Sequence, residues 1–127
     1  MANLYGTRPR PSGGMELYAW LFMRFSGVAL LGLALGHLFI MHVFNSVHWI
    51  DYNFVAARYA CLFWRVYDLA MLWLASLHGL NGLRTVLDDY LKPPVRPIAV
   101  KILYGTAVFF LLLGTWVIIT FRPAAGV

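Results

Sequence analysis

The sequence contains two long stretches without a charged side chain, Phe25 to Ile50 and Ile102 to Phe121. A helix needs about 20 predominantly apolar residues to cross the hydrocarbon core of a bilayer, at a rise of about 1.5 Å per residue. Both stretches meet that requirement. The composition, 61% hydrophobic and 12% charged, is more apolar than a soluble domain of this size can bury. The sequence therefore predicts an all-α integral membrane protein.

Three transmembrane helices are predicted, at residues 20–45, 62–91 and 98–121. The run Lys92-Pro-Pro-Val-Arg-Pro97 ends the second helix, because proline removes a backbone donor and clashes with the preceding turn. Residues 46–60 are rich in aromatic side chains and are predicted to form an interfacial loop or a short amphipathic helix. Residues 1–127 are therefore predicted to form a single membrane-anchor domain.

The basic residues are divided unevenly between the two ends of these helices. Seven of the ten fall on the side of the amino terminus: Arg8, Arg10, Arg24, Arg84, Lys92, Arg96 and Lys101. Because cytoplasmic loops carry the excess of Lys and Arg, the amino terminus is predicted to lie in the cytoplasm. Residues 1–15 are predicted to be an extended basic arm on that side. This asymmetry accounts for the net charge of +5 without any binding of nucleic acid.

His78 is an ionisable residue near the middle of the second predicted helix. Such residues are costly in a bilayer and mark functional sites. Ala75, Gly79 and Gly82 leave little side-chain bulk around it, which suits a flat macrocycle whose iron accepts an imidazole nitrogen. A hydrogen bond to a neighbouring helix and a role in proton transfer are equally open from the spacing alone.

His37 is the second histidine within a predicted span. It follows Arg24 by 13 residues, and His78 precedes Tyr90 by 12, so the two histidines are predicted to lie at similar depths in antiparallel helices. A bis-histidine haem site within one chain is then geometrically possible. The alternative is that His37 lines the pocket or bonds to a partner helix.

A group of charged and tyrosine side chains is predicted to gather at the amino-terminal side of the membrane. Arg24 is placed level with Arg84, Asp88, Asp89 and Tyr90 on the neighbouring helix. The guanidinium groups could pair with the aspartates or with haem propionates. The tyrosine hydroxyl could donate a hydrogen bond to a quinone carbonyl. Ordinary ion pairing at a helix end explains the same residues.

Arg65 and Asp68 are three residues apart near the start of the second helix. Residues at this spacing face each other on a helix surface. They are predicted to form an interfacial salt bridge.

Two motifs give the chain a family resemblance. His78-Gly-Leu-Asn-Gly82-x-Arg84-x-Val-Leu-x-Asp89-Tyr90 resembles the second helix of the hydrophobic membrane-anchor subunit of succinate dehydrogenase, the smaller, D-type cytochrome b anchor. Trp20-x-x-x-Arg24-x-Ser26-Gly27 is similar to the first-helix signature of the same family. The number and direction of the predicted helices agree with that resemblance.

The resemblance implies particular roles for the residues in these motifs. His78 becomes an axial ligand of haem b and so binds the haem iron, while the sister C-type anchor supplies the second ligand. Tyr90, with Asp89 behind it, is expected at the quinone head group, the quinone being menaquinone or ubiquinone. Arg24 is expected near a haem propionate and the quinone pocket. Arg84 stands where other members can have an uncharged residue, and is predicted to serve a propionate.

The resemblance also implies a function and a location. The chain is expected to be one half of a two-subunit anchor bundle in the inner (cytoplasmic) membrane of the cell, part of succinate:quinone oxidoreductase. It would dock the flavoprotein and iron–sulfur subunits, which carry the flavin and succinate chemistry. Two alternatives remain from the residues themselves: a self-contained b-type cytochrome using His37 and His78, and a haem-free structural anchor.

Overall fold

A computed structural model describes residues 13–122, which are helical for most of their length and contain no strand. Four α-helices follow in chain order: α1 (Gly14–Leu38), α2 (Tyr52–Ala60), α3 (Leu62–Tyr90) and α4 (Val95–Thr120).

Helix α1 is longer than the sequence predicts. It begins at Gly14 rather than at residue 20, because Met15 to Ala19 are compatible with a helix and Glu16 lies in the first turn, where a negative charge favours the helix dipole. The φ of Gly14 is +71°, a conformation suited to glycine. Residues 14 and 15 of the predicted extended arm are therefore helical, while residues 1–12 lie outside the described part.

The carboxyl end of α1 continues as a π-helix, Phe39–Phe44. Asn45 closes it, because its backbone N–H donates to the Ile40 carbonyl at 3.1 Å and its side-chain amide donates to the same oxygen at 2.8 Å. The predicted end of the first helix at residue 45 is confirmed. A 3-10 turn, Val47–Trp49, leads on to α2.

Helix α2 is the short helix expected between the first two spans. The Asp51 carboxylate caps it by accepting from the Phe54 N–H at 2.9 Å. At Cys61 the chain bends by 102° into α3. Helix α3 occupies the predicted range to within one residue.

Helix α4 begins at Val95, three residues before the predicted start. Pro97 is accommodated in its first turn because the N–H groups there have no intrahelical partner. The prolines therefore end α3 but do not delay α4.

Two helices are long and apolar enough to cross a membrane: Gly14–Phe44, which is α1 with its π-helical extension, and α4. Helix α3 qualifies only together with α2, as a bent pair. It carries more charged residues than the other two, although its 29 residues give a length of about 43 Å. The described chain thus has two spans by composition, or up to three.

Helix α3 lies between α1 and α4 and packs against both. Gly36 of α1 approaches the Tyr67 hydroxyl, where a Cβ would meet it at 2.9 Å, and Gly114 of α4 approaches the side chain of Leu72. Tyr67 also donates a hydrogen bond to the Leu33 carbonyl. Because Tyr67 and Leu72 are five residues apart, α1 and α4 contact different faces of α3.

Few apolar side chains are buried within the described residues. Only Ala56, Leu111 and Ile118 are buried, while Phe44 is 77% exposed. In lipid this exposure is not penalised, since acyl chains are as apolar as the side chains. The shape is therefore consistent with a membrane solvent rather than water.

The predicted Arg65–Asp68 salt bridge is not formed. Asp68 instead accepts from Arg58 of α2 at 2.7 Å, in a pair with little exposure. Arg65 donates to carbonyl oxygens of Tyr59 at 2.6 Å and Phe121 at 2.7 Å. The bend before α3 brings Arg58 within reach of Asp68, and the unpaired carbonyls at the end of α4 attract Arg65.

Candidate functional site

His78 lies at the seam between α1 and α3. Its Nδ1 is 2.8 Å from Oγ of Ser26, a residue only 3% exposed. When the ring proton is on Nδ1, that N–H donates to Ser26 and Nε2 keeps the lone pair that a metal ion needs. A hydrogen bond to the far nitrogen is the usual way in which a protein orients a metal-binding imidazole.

Glycine at position 27 makes room for the imidazole. A Cβ built there would lie 3.4 Å from Cε1 of His78, so a larger side chain would displace the ring. On the neighbouring faces of α3, Ala75 and Gly79 are exposed, and a Cβ at Gly79 would meet no atom within 4 Å. The histidine therefore sits beside an open, smooth strip of helix.

These features fit a haem held by one axial histidine. The imidazole is oriented through its far nitrogen, and the surface beside it is free of bulky side chains. No cluster of three or more His, Cys, Asp or Glu side chains suited to a metal ion occurs between residues 13 and 122. A haem needs only axial ligands from protein, and one histidine can supply one of them.

His37 is at a different depth from His78. Its neighbour Gly36 contacts Tyr67, whereas His78 contacts Ser26. Tyr67 and His78 are eleven residues apart, which separates the two levels by roughly 16 Å. Because imidazole nitrogens bond metal ions at about 2 Å, one iron cannot bond both side chains. The predicted similarity of depth is wrong.

The error comes from the position of Arg24. The sequence predicts Arg24 at the membrane edge, but α1 begins at Gly14, so Arg24 is already ten residues inside the helix. His37 is correspondingly nearer the opposite end. Its Nδ1 is buried with no hydrogen-bond partner among the residues described.

Arg24 does not join the predicted group of charges. Its guanidinium lies 4.3 Å from the centroid of the Trp20 ring, a favourable cation–π contact. Ser26, two residues later, faces α3, so Arg24 points to nearly the opposite side of α1. Among residues 13–122 no carboxylate pairs with it. An exposed, unneutralised arginine in a span is available to an anionic group from outside the chain.

Arg84 contacts the other two long helices. It donates to Glu16 of α1 at 3.3 and 3.4 Å, and it lines the same cleft as Tyr104 of α4. Six residues separate it from His78, which places the two side chains about 120° apart around α3. The role of Arg84 at a haem propionate stays a prediction.

Asp88 is also paired within the chain, accepting from Nε of Arg96 at 2.8 Å. Asp89 is exposed, and Tyr90, the last residue of α3, is 82% exposed. Met23 lies against Gly82, eight residues before Tyr90, so Arg24 and Tyr90 differ in depth by about 12 Å. The described chain thus does not bring Arg24 and Tyr90 into one pocket.

Sequence reasoning missed the partner of His78. Ser26 belongs to the first-helix motif, from which the sequence predicts no role for it. A small polar residue in an otherwise apolar span is a signal for an interhelical hydrogen bond. Only the register of α1 against α3 shows that the partner of Ser26 in this hydrogen bond is His78.

Comparison with known proteins gives one family. A family model described as the succinate dehydrogenase/fumarate reductase transmembrane subunit matches residues 10–114. The matched range contains Ser26, His78 and Tyr90. No curated protein matches the chain.

Proposed function

The chain belongs to the family of succinate dehydrogenase/fumarate reductase transmembrane subunits, and on that premise we propose that it is the D-type anchor of a succinate:quinone oxidoreductase. It holds haem b through His78, forms part of a quinone site at Tyr90, and docks the iron–sulfur and flavoprotein subunits. The residues that oxidise succinate are on those soluble subunits.

The contact between Ser26 and His78 carries the haem assignment. At 2.8 Å it orients the imidazole and leaves Nε2 as the nitrogen for iron. When bound, haem b supplies a one-electron carrier within the membrane. The chain's own contribution is to hold the ring in position and to exclude water with the apolar surfaces of α1 and α3.

The second axial ligand comes from a C-type sister anchor. Within the chain, His37 and His78 are separated by roughly 16 Å in depth. They are too far apart to share one iron atom, which argues against the self-contained cytochrome. The exposed strip at Ala75 and Gly79 allows another helix or a flat group to approach α3 closely. Together the two anchors form one bundle in the cytoplasmic membrane.

The quinone site lies at the end of α3. Tyr90 is uncovered by α1 and α4, so its hydroxyl is free to donate a hydrogen bond to a carbonyl of menaquinone or ubiquinone. Asp89 is adjacent to Tyr90, and its carboxyl group orients the tyrosine hydroxyl or supplies a proton to it. Arg24 is about 12 Å from Tyr90 in depth, so it does not reach the quinone together with Tyr90. Groups from the sister anchor connect Arg24 with the quinone region or with a haem propionate.

Docking of the soluble subunits is assigned to the same end of the bundle. The start of α1 and the loop at Lys92 form that end, and the distribution of basic residues predicts that it faces the cytoplasm. Electrons from the iron–sulfur subunit then have a short path to a quinone at Tyr90.

The test is the substitution His78→Ala in the complex purified with its partner subunits. We expect the reduced-minus-oxidised haem spectrum to disappear or fall to a small fraction. His48→Ala is the matched control, because His48 is exposed in the 3-10 turn, and it should leave the spectrum unchanged.

Assembly must be measured at the same time by gel filtration. If His78→Ala leaves haem content and spectrum intact in an assembled complex, His78 is not the ligand. If the complex fails to assemble, His78→Cys or His78→Met decides the question, because a different axial ligand shifts the spectrum only when position 78 binds the iron.

A further inference from the structure

A cleft opens between the end of α3 and the start of α4. Its volume is about 380 Å³. The polar side chains that line it are Arg84, Asp88, Arg96, Lys101 and Tyr104. It is separate from His78, since Arg84 points about 120° away around α3.

The lining has an excess of positive charge. Three cationic side chains face one carboxylate, and Glu16, which contacts Arg84 from α1, is 70% exposed. Asp88 is already paired with Arg96 at 2.8 Å. Arg84 is bonded to Glu16 at 3.3 Å, but its Nε is buried with no partner among the described residues. An anion in the cleft would balance the excess positive charge and accept hydrogen bonds from these donors.

An apolar groove lies next to the cleft. It has a volume of about 310 Å³ and runs between α1, α3 and α4, with Tyr18, Phe22, Leu77 and Leu80 among its walls. Tyr104 lines both the groove and the cleft. The basic cleft and the apolar groove therefore meet at Tyr104. Together they match the shape of a molecule with an anionic head and an apolar tail.

The cleft lies near one end of α3 and α4, where a helix that spans a bilayer meets the lipid head groups. It lies where α3 ends at Tyr90 and α4 begins at Val95, whereas the groove extends toward the middle of both helices. Lys101 lies six residues inside α4, and its long side chain can reach outward to the interface. Basic pockets between transmembrane helices at this level bind anionic lipid head groups.

We propose that the cleft and the groove together bind one anionic phospholipid, with its phosphate among Arg84, Arg96 and Lys101 and an acyl chain in the groove. The lipid joins the ends of α3 and α4 and also contacts α1. Neither the cleft nor the groove is lined by His78, Asp89 or Tyr90.

The experiment uses the complete complex in mixed micelles containing equal amounts of phosphatidylglycerol and phosphatidylcholine, with retained lipids counted by native mass spectrometry. The variant is Lys101→Gln. Its matched control is Lys92→Gln, which removes a charge at the same end of the bundle but does not line the cleft. We expect Lys101→Gln to lower the preference for phosphatidylglycerol roughly fivefold, the effect of one basic side chain near a membrane surface, and Lys92→Gln to change it little.

Three outcomes would overturn the proposal. Equal effects of the two variants would mean that the preference for phosphatidylglycerol comes from the general surface charge rather than from binding in the cleft. Displacement of the lipid by inorganic phosphate or glycerol 3-phosphate as effectively as by phosphatidylglycerol would mean that the groove has no role. Loss of the soluble subunits from Lys101→Gln, with unchanged lipid preference, would assign the cleft to an acidic protein surface. If Lys101→Gln is unstable, Arg96→Gln is measured in the same way in its place.

Discussion

At the scale of the residue, the chemistry of His78 depends on Ser26. A histidine in an apolar helix can bind a metal ion, carry a proton or make a structural hydrogen bond, and the residue type does not distinguish these. The hydroxyl at 2.8 Å from Nδ1 leaves one nitrogen for a ligand and holds the ring against α1. Gly27 supplies the space in which the ring sits.

Ser26→Ala tests this dependence. Removing the hydroxyl leaves Nδ1 without its partner, and loss of such an orienting hydrogen bond lowers metal affinity by about 10- to 100-fold. We expect haem to be retained more weakly in the purified complex and its midpoint potential to shift. Both are measured by haem titration and by redox titration of the absorbance.

Ser26→Thr is the matched variant, because it keeps the hydroxyl in a helix and should restore most of the affinity. If Ser26→Ala binds haem as tightly as the wild type at an unchanged potential, the contact is only structural.

At the scale of the element, α3 is the helix on which the others depend. Its two packed faces contact α1 and α4, and Arg65 at its start ties the carboxyl end of α4 to α2 through backbone carbonyls. The Arg58–Asp68 pair holds α2 across the 102° bend. Both of these contacts lie near the bend. The long central part of the packing combines small residues with the Ser26–His78 and Trp73–Thr115 hydrogen bonds.

A pair of glycine substitutions in α4 measures that packing. A Cβ at Gly114 would lie 2.7 Å from Cδ2 of Leu72, whereas one at Gly105 would meet nothing within 4 Å. Both Gly→Ala changes gain helix propensity of up to about 1 kcal/mol, but at position 114 Leu72 must change its rotamer. Overpacking of this kind costs about 1–3 kcal/mol.

We therefore expect Gly105→Ala to be neutral or stabilising and Gly114→Ala to be less stable than it by about 1–2 kcal/mol. The measurement is the thermal midpoint of the detergent-solubilised complex. Equal midpoints for the two variants would show that α3 and α4 do not pack as described.

At the scale of the whole molecule, the described chain is a row of helices rather than a closed bundle. Helices α1 and α4 both pack on α3, and most large apolar side chains are left uncovered. Lipid covers some of this surface without penalty. A membrane subunit of an enzyme complex also leaves a surface for its partners, which agrees with the family to which the chain belongs.

The orientation of the row is testable through its single cysteine. Cys61 is exposed at the bend between α2 and α3, at the end of the molecule opposite the loop at Lys92. With the amino terminus in the cytoplasm, a membrane-impermeant maleimide should label Cys61 from outside intact cells but not from outside inverted vesicles. Cys61→Ser, which has no cysteine, is the negative control for labelling.

Lys92→Cys in the Cys61→Ser background should give the reverse pattern. Labelling of Cys61 in inverted vesicles only would mean that the predicted orientation is wrong.

The sequence by itself determined the class of fold and the extents of most elements. Long uncharged runs have no stable alternative to a helix in lipid, and the prolines after Lys92 set the end of α3. These are local properties, so they can be inferred without knowing any neighbour. The predicted start of α1 at residue 20 is six residues too late, since the helix begins at Gly14.

Only the tertiary structure decided which side chains meet. The register of α1 on α3 pairs Ser26 with His78 and separates His37 from it, because a shift of one helical turn moves a side chain by about 5.4 Å. The packing of α4 brings Tyr104 and the Asp88–Arg96 pair to the cleft. Contacts between helices far apart in sequence depend on depth and rotation together, and spacing along one helix specifies neither for its neighbour.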